Sequence, residues 1–316
     1  MTRPRVAVSS CLIGEPVRYN GGHSRDRFLS GPLDPHVDWV PICPEMEAGL
    51  GTPRETLRLE RSAAGPRLMT RTTRADLTDR MTALAAARAA SLDVDGYVFK
   101  SRSPTCGVHG IPLYPGADGP PVDRRRRGVF AARIVDAHPL LPVEDEGRLN
   151  DAVLREAFAE RVFAHARLRE LLSGGWRPRD LVGFHARHKM QLLAHDPVGY
   201  RAAGALVARA GARRPAELAA DYAEAFRTAL SRKAGPGRNV NVLHHLLGMV
   251  PLDRSRRDHL LEVIEAYRAG IVPLSVPATL LRHDAEAEGP AAAYVRAQTF
   301  LAPYPEELRL RHHVPA

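Results

Sequence analysis

Three residues of this 316-residue chain carry most of its chemical information: Cys11, Cys43 and Cys106, the only cysteines in it. Each lies at, or a few residues beyond, the end of an apolar run that reads as a strand, in the segments VAVSSC, WVPIC and GYVFKSRSPTC. In an open parallel sheet the carboxyl ends of the strands line one crevice, and ligands bind there. Three thiols far apart in sequence can therefore meet in one place. The competing reading is that each is buried singly as a small hydrophobe. If they meet, they leave a metal one ligand short. A closed structural zinc takes four protein ligands, and a 4Fe–4S cluster usually takes four cysteines. An open coordination position belongs to catalytic metal sites. An iron–sulfur cluster and an open zinc both fit this pattern, and all-thiolate ligation favours the former. A redox cysteine pair has no support, because no CxxC motif occurs.

The neighbours of the cysteines are polar and suited to proton transfer. Glu45 stands two residues after Cys43, and Lys100, Ser101 and Ser103 precede Cys106. A carboxylate can move protons, and an ammonium offsets thiolate charge. Lys100 is one of three lysines among 45 basic residues, with Lys189 and Lys233. In so arginine-rich a chain, a lysine points to a role for the compact ammonium that guanidinium cannot fill. The stretch Arg18–His23 contains Gly21 and Gly22 and reads as a tight turn or as a turn that approaches a ligand.

These residues need elements to hold them. Val6–Ser10, Trp39–Ile42, Gly96–Phe99 and Leu140–Val143 read as strands, with Pro41 favouring a strand end or edge. Asp76–Leu92 and Gly128–Ala137 read as helices. This alternation predicts an α/β N-terminal domain with a mostly parallel, Rossmann-like sheet. The Pro/Gly-rich stretch Pro112–Pro121 and the run Arg124–Arg127 read as a loop, in which Arg125 and Arg126 are candidate phosphate contacts. The break falls at Glu144–Gly147, which gives domains 1–146 and 147–316. The second is predicted to be all-α, with helices over 151–172, 179–194, 197–210, 215–232, 240–249 and 252–269 and an irregular tail from Pro303.

Composition narrows the partners. Hydrophobic residues make up 44% and charged residues 26%, ordinary for a folded protein. No window of about 18 apolar residues predicts a membrane span. No charged segment followed by an apolar core marks a secretory signal at the start, so the cytoplasm is the expected compartment. The net charge is +9, and it is uneven: 20 basic against 18 acidic residues up to Glu146, then 25 against 18. A basic second half suits a polyanion, with nucleic acid first; an arginine-rich coding bias would give the same balance.

The segments CLIGEPVRYNGGH, CPEMEAGLGTPRE and KSRSPTCG, in this order, resemble the signature segments of the thiouracil desulfidase (TudS-type) family over residues 3–145. The stretch LVGFHARHKMQLLAH, Leu181–His195, is similar to the YbgA-type helical domain. Their fusion resembles the RudS-type enzymes, which remove sulfur from 4-thiouridine in tRNA. The resemblance implies a 4Fe–4S cluster held by Cys11, Cys43 and Cys106, with one open iron for the substrate sulfur. It also implies a catalytic carboxylate and serine, which by motif position are Glu45 and Ser103, with Ser101 the competitor and Lys100 beside them. The chemistry expected is a non-redox exchange of sulfur for oxygen on a thiolated pyrimidine.

In the helical half, His185, His188 and His195 fall within about 80° on one helix face, with Lys189 a turn from His185. Three readings compete there: buried histidines, a metal site, or an RNA contact through His185, His188 and Lys189. Thiolated tRNA is the expected partner, with no membrane and no obligate protein partner. The alternatives are desulfidation of free thiouracil or its nucleoside, and a non-catalytic RNA-binding protein with a structural metal.

Overall fold

The computed structural model describes residues 2–286 and 289–314. The chain divides into two compact units, Arg3–Leu154 and the residues from Arg155 onward.

The first unit is built on a parallel sheet of β1 (Arg5–Ser9), β2 (Asp38–Ile42), β5 (Gly96–Phe99) and β8 (Val143–Asp145), in the order β2-β1-β5-β8. Successive strands go to opposite sides of β1, so the strand order reverses there, and a crevice opens beyond the carboxyl ends. The apolar residues of β1 and β5 are buried on both faces, as parallel strands require. The helices α2 (Thr78–Ser91) and α3 (Val129–Ala137) pack on one another and supply Met81, Ala85, Phe130 and Ile134 to the core. Between β2 and the next strand runs only the single turn α1 (Pro44–Glu47). The last strand lies three residues later than the sequence suggested. Pro142 delays it, because proline has no N–H to give the ladder.

A second sheet was not anticipated. It consists of β3 (Leu57–Ser62), β4 (Gly65–Thr70), β6 (Ile111–Tyr114) and β7 (Asp123–Arg126), in the order β4-β3-β6-β7. Its inner face contributes Leu59, Leu68, Ile111 and Leu113 to the same core. The run Leu57-Arg58-Leu59-Glu60 alternates apolar and charged residues, the period of a half-buried strand, and was the available signal. The arginine run is therefore corrected from loop to strand: it forms most of β7, at the sheet edge. Charged side chains on an edge strand keep its open hydrogen-bonding groups from pairing with other chains.

The second unit is helical: α4 (Ala152–Leu172), α5 (Pro178–His195), α6 (Pro197–Ala208), α7 (Pro215–Ser231), α8 (Pro236–Leu247), α9 (Arg254–Arg268), α10 (Ser275–Asp284) and α11 (Pro290–Arg296). Proline opens α5, α6, α7, α8 and α11, where its missing N–H costs nothing. The last two helices were not predicted. They are short; Pro277 interrupts the first, and three alanines fill the second. The described part of the tail from Pro303 holds two 3-10 turns, Glu306–Leu308 and Leu310–His312; its last two residues lie outside the described residues. Among the described residues no helix is long and apolar enough to cross a membrane.

Candidate active site

Cys11, Cys43 and Cys106 line one cavity of about 410 Å³ at the carboxyl ends of β1, β2 and β5, together with Glu45, Lys100, Ser101 and Ser103. Cys11 follows β1 in a 3-10 turn, and Cys43 follows β2 directly. Cys106 comes from the loop after β5, carried back over the strand ends. Cys11 and Cys106 are buried and Cys43 is half-buried. Burial pushes the Cys11 thiol up to about 11, with Lys100 pulling the other way. Burial and then the Glu45 carboxylate push Cys43 up to about 12. Burial moves Cys106 upward as well. Thiols in such surroundings stay protonated at neutral pH, and a positively charged group would have to accompany their ionisation.

The donor set selects among such groups. Zinc–sulfur bonds of about 2.3 Å place tetrahedral sulfurs about 3.8 Å apart. The three sulfurs do not all come within 4.8 Å of one another. A polynuclear iron–sulfur group spans a wider sulfur triangle than one zinc ion does, which favours it over a single zinc here.

Glu45 sits in the first turn of α1, 8% exposed, with its Oε2 accepting from Cys43 Sγ at 3.6 Å. The short helix holds the carboxylate at the pocket rather than in solvent. Ser9, at the end of β1, accepts from the Lys100 backbone N–H at 2.9 Å and also bonds Cys106. The sequence reading missed Ser9, which reads as ordinary strand.

It also missed Glu146. The Ser101 N–H and hydroxyl donate to Glu146 at 2.7 and 2.6 Å, and Lys100 Nζ donates to the same carboxylate. Lys100 Nζ also reaches Ser101 Oγ at 3.2 Å. Burial opposes ionisation of Glu146, but the bonds from Lys100 and Ser101 outweigh it and hold the carboxyl below its usual range. The acidic run Glu144-Asp145-Glu146 read only as a domain break. Its position at the end of a parallel strand is what brings Glu146 to the site.

The two serines differ. Ser103 Oγ accepts from the backbone N–H groups of Thr105 and Cys106 at 3.2 and 3.0 Å, a local cap that shapes the cysteine loop. Ser101 is tied instead to the lysine–carboxylate pair.

The cysteine loop lies against the start of α3. Gly128 N–H donates to Gly107 O at 2.7 Å, and Val129 and Phe130 donate to Pro104 and Thr105 carbonyls at 3.1 Å. A Cβ at Gly128 would overlap the Thr105 carbonyl and lie 2.9 Å from Pro104 O. Gly128→Ala is therefore expected to cost roughly 1–3 kcal/mol and to loosen Cys106. A melting curve and the amount of cluster retained after reconstitution check this, and wild-type values for both would contradict it.

The arginines and histidines fall elsewhere. Arg125 and Arg126 are exposed on β7, and Arg126 pairs with Asp123 at 2.9 Å. His188 is 1% exposed; its Nδ1 contacts Phe184 O at 2.8 Å, and its Nε2 accepts from Arg167 at 3.3 Å. His185 is buried against the Tyr222 hydroxyl at 3.1 Å. Both are core residues, so the expected RNA contact through them is corrected: the apolar packing of α5 takes their rings out of reach. Lys189 is half-buried, with Nζ 4.9 Å from the Tyr294 ring centroid. His195 is buried beside Glu160, which burial would neutralise but which His195 and Arg311 hold ionised, its carboxyl brought down to about 2.

Burial drives His185 down to about 4 and His188 down to about 3. A histidine neutral when folded takes up a proton on unfolding, so its stabilising effect is present above the unfolded value near 6.5 and is lost as pH falls below it. Each of these two gives up about 2 kcal/mol between pH 8 and pH 5. His165 is lowered likewise, whereas His195 is raised and opposes them. The helical unit is expected to melt about 5–10 °C lower at pH 5 than at pH 8. An unchanged or higher melting temperature would contradict this.

Residues 6–146 match the 2-thiouracil desulfurase family, and residues 189–305 match a family described as a protein of unknown function (DUF1722). The chain belongs to the 2-thiouracil desulfurase family through its first half and to the family of YbgA through its second. The uncharacterised protein YbgA of Escherichia coli (strain K12) is 30% identical over 158 residues, covering 48% of this chain and 90% of that protein. The uncharacterised protein YbbK of Bacillus subtilis (strain 168) is 31% identical over 110 residues, covering 32% of this chain and 72% of that protein. Among solved structures, the [4Fe-4S]-dependent thiouracil desulfidase TudS is 25% identical, with a TM-score of 0.39, over 49% of this chain and 99% of that one.

Proposed function

We propose that the protein replaces the sulfur of a thiolated pyrimidine with oxygen, with 4-thiouridine in tRNA as its substrate. The observation that carries the reading is the convergence of three cysteines, with no fourth in the chain, on one cavity that also holds a buried carboxylate. A 4Fe–4S cluster held by Cys11, Cys43 and Cys106 would supply an open, Lewis-acidic iron with affinity for a thiocarbonyl sulfur.

The chain's own groups supply the proton chemistry. Glu45 takes a proton from a water beside the ring carbon. Ser101 turns its hydroxyl from Glu146 and, backed by the Lys100 ammonium on its oxygen, donates toward the charge that develops as the C–S bond breaks. Ser103 keeps Cys106 in place through its two backbone bonds. One C–O bond forms, one C–S bond breaks, and sulfur leaves as hydrosulfide. No electrons are gained or lost, so no redox partner is required.

RNA as substrate is supported by the surplus of basic residues after Glu146 and by exposed Arg125 and Arg126. Arg254 and Arg256 in the helical half are weaker support, because they pair with Asp258 and Asp253. A second reading, desulfidation of free 2-thiouracil, is favoured by the description of the family that matches residues 6–146.

The test is anaerobic. The protein is reconstituted with iron and sulfide, and the near-ultraviolet band of 4-thiouridine is followed in tRNA, in the nucleoside and against free 2-thiouracil. Loss of the band in tRNA supports the first reading, and turnover of free 2-thiouracil alone supports the second. A colourless protein that leaves every band intact overturns both.

A further inference from the structure

A second cleft, also about 410 Å³, opens beside the cysteine cavity. Thr56, Leu57, Arg102 and Pro104 line both, so the two adjoin. The mechanism above uses none of its other walls. The sequence reading did not single out this region, because the second sheet that builds it was not anticipated.

The cleft's chemistry is specific. Tyr114, on β6, offers an aromatic ring with the Arg58 guanidinium 5.1 Å from its centroid. Arg58 is locked there: it donates to Glu60 at 2.6 Å and to Gly116 O at 2.8 Å. The platform is therefore stiff before any ligand arrives. Two further arginines line the cleft differently. Arg71 is exposed, and its side chain has no hydrogen bond or ion pair among the described residues. The same holds for Arg102, which stands at the junction of the two spaces. Arg102 also has φ +59°, a left-handed backbone that non-glycine residues seldom adopt and that recurs at functional sites. The single carboxylate in the lining is Asp118. Glu60 is bound by both Arg58 and Arg74.

Two unpaired guanidiniums beside an aromatic platform match a phosphate attached to a base. Bases stack on such rings without regard to sequence, and arginine takes phosphate. A free pyrimidine lodged by the cysteines would leave this second cleft empty. A strand with its reacting base turned into the cysteine cavity would send the phosphodiester past Arg102 and the next base toward Tyr114.

We propose that this cleft is the seat of the nucleotide adjoining the reacting thiopyrimidine, so that the unit recognised is a segment of single strand rather than a lone base. The proposal rests on the desulfidase reading for which base is turned in, but not for the binding itself.

The experiment therefore has a readout free of turnover. Binding of a fluorescent uridine trinucleotide, which carries no sulfur, is measured by anisotropy for the wild type, Arg71→Ala, Arg102→Gly and Tyr114→Leu. Glycine suits the backbone at position 102. Each variant is expected to weaken binding about tenfold, and added salt to weaken wild-type binding further. In parallel, kcat and KM are measured on 4-thiouridine, its 5′-monophosphate and a trinucleotide with a central 4-thiouridine. Arg71→Ala and Tyr114→Leu are expected to raise KM for the trinucleotide alone.

Wild-type affinity in all three variants overturns the proposal, as does a wild type that does not bind the trinucleotide. Equal losses on the nucleoside and the trinucleotide overturn it too, since they indicate a merely structural role. Equal losses on the monophosphate and the trinucleotide mean that the cleft reads the nucleotide's own phosphate, and the adjoining-nucleotide assignment falls. Trinucleotide binding that responds to the variants in a protein without desulfidase activity supports the cleft and removes the activity instead.

Discussion

Cys43→Ala is expected to give a folded protein that is colourless after reconstitution and has no measurable desulfidase activity. Cys43 is the most informative of the three because it is half-buried, so removing its sulfur leaves a smaller cavity than removing Cys106 would. Cys11→Ala and Cys106→Ala are expected to give the same loss. A set of three thiols has none to spare, and deleting one leaves two ligands for the whole group. Circular dichroism and melting separate loss of the cluster from loss of the fold. Full activity in any one of the three alanine variants would refute a shared site.

Glu45→Gln is expected to keep the brown colour and lose turnover by roughly 10²–10⁴-fold, the usual contribution of a positioned base. The glutamine has nearly the same shape but cannot accept a proton from water. The neighbour relation with Cys43 gives a second readout. The thiol, raised to about 12 by burial and then by the adjacent carboxylate, should become easier to ionise once that charge is gone. Alkylation of the cluster-free protein at Cys43 should therefore quicken in the variant. Wild-type turnover with unchanged alkylation would remove Glu45 from the mechanism.

Three strands of the parallel sheet were legible because β1, β2 and β5 hold short apolar runs, and β1 and β5, buried on both faces, do not alternate; β8, Val-Glu-Asp, is not such a run and was misplaced. The helices α4 to α9 were legible from their period and their proline and glycine ends. The second sheet was not. Its strands are four to six residues long, carry Pro66 and Pro112, and pair across 40 residues or more of chain between β3 and β6. No local pattern announces that pairing. The histidines of α5 show the same limit from the other side. Spacing put them on one helix face, but which face is buried depends on Phe184, Tyr222 and Phe226 packing there.

The sequence by itself determined the donor set: three cysteines placed after strands, a carboxylate two residues beyond one of them, and a lysine and two serines before another. Those are local facts of residue type and spacing. The tertiary structure alone decided which serine bonds Glu146, that Glu146 belongs to the site at all, and that a second cleft adjoins the first. The β8 strand end brings Glu146 to Lys100 across 46 positions of chain, and β3 and β6 bring Arg58 to Tyr114. Contacts of that range are set by the order of strands in a sheet, which residue spacing does not encode.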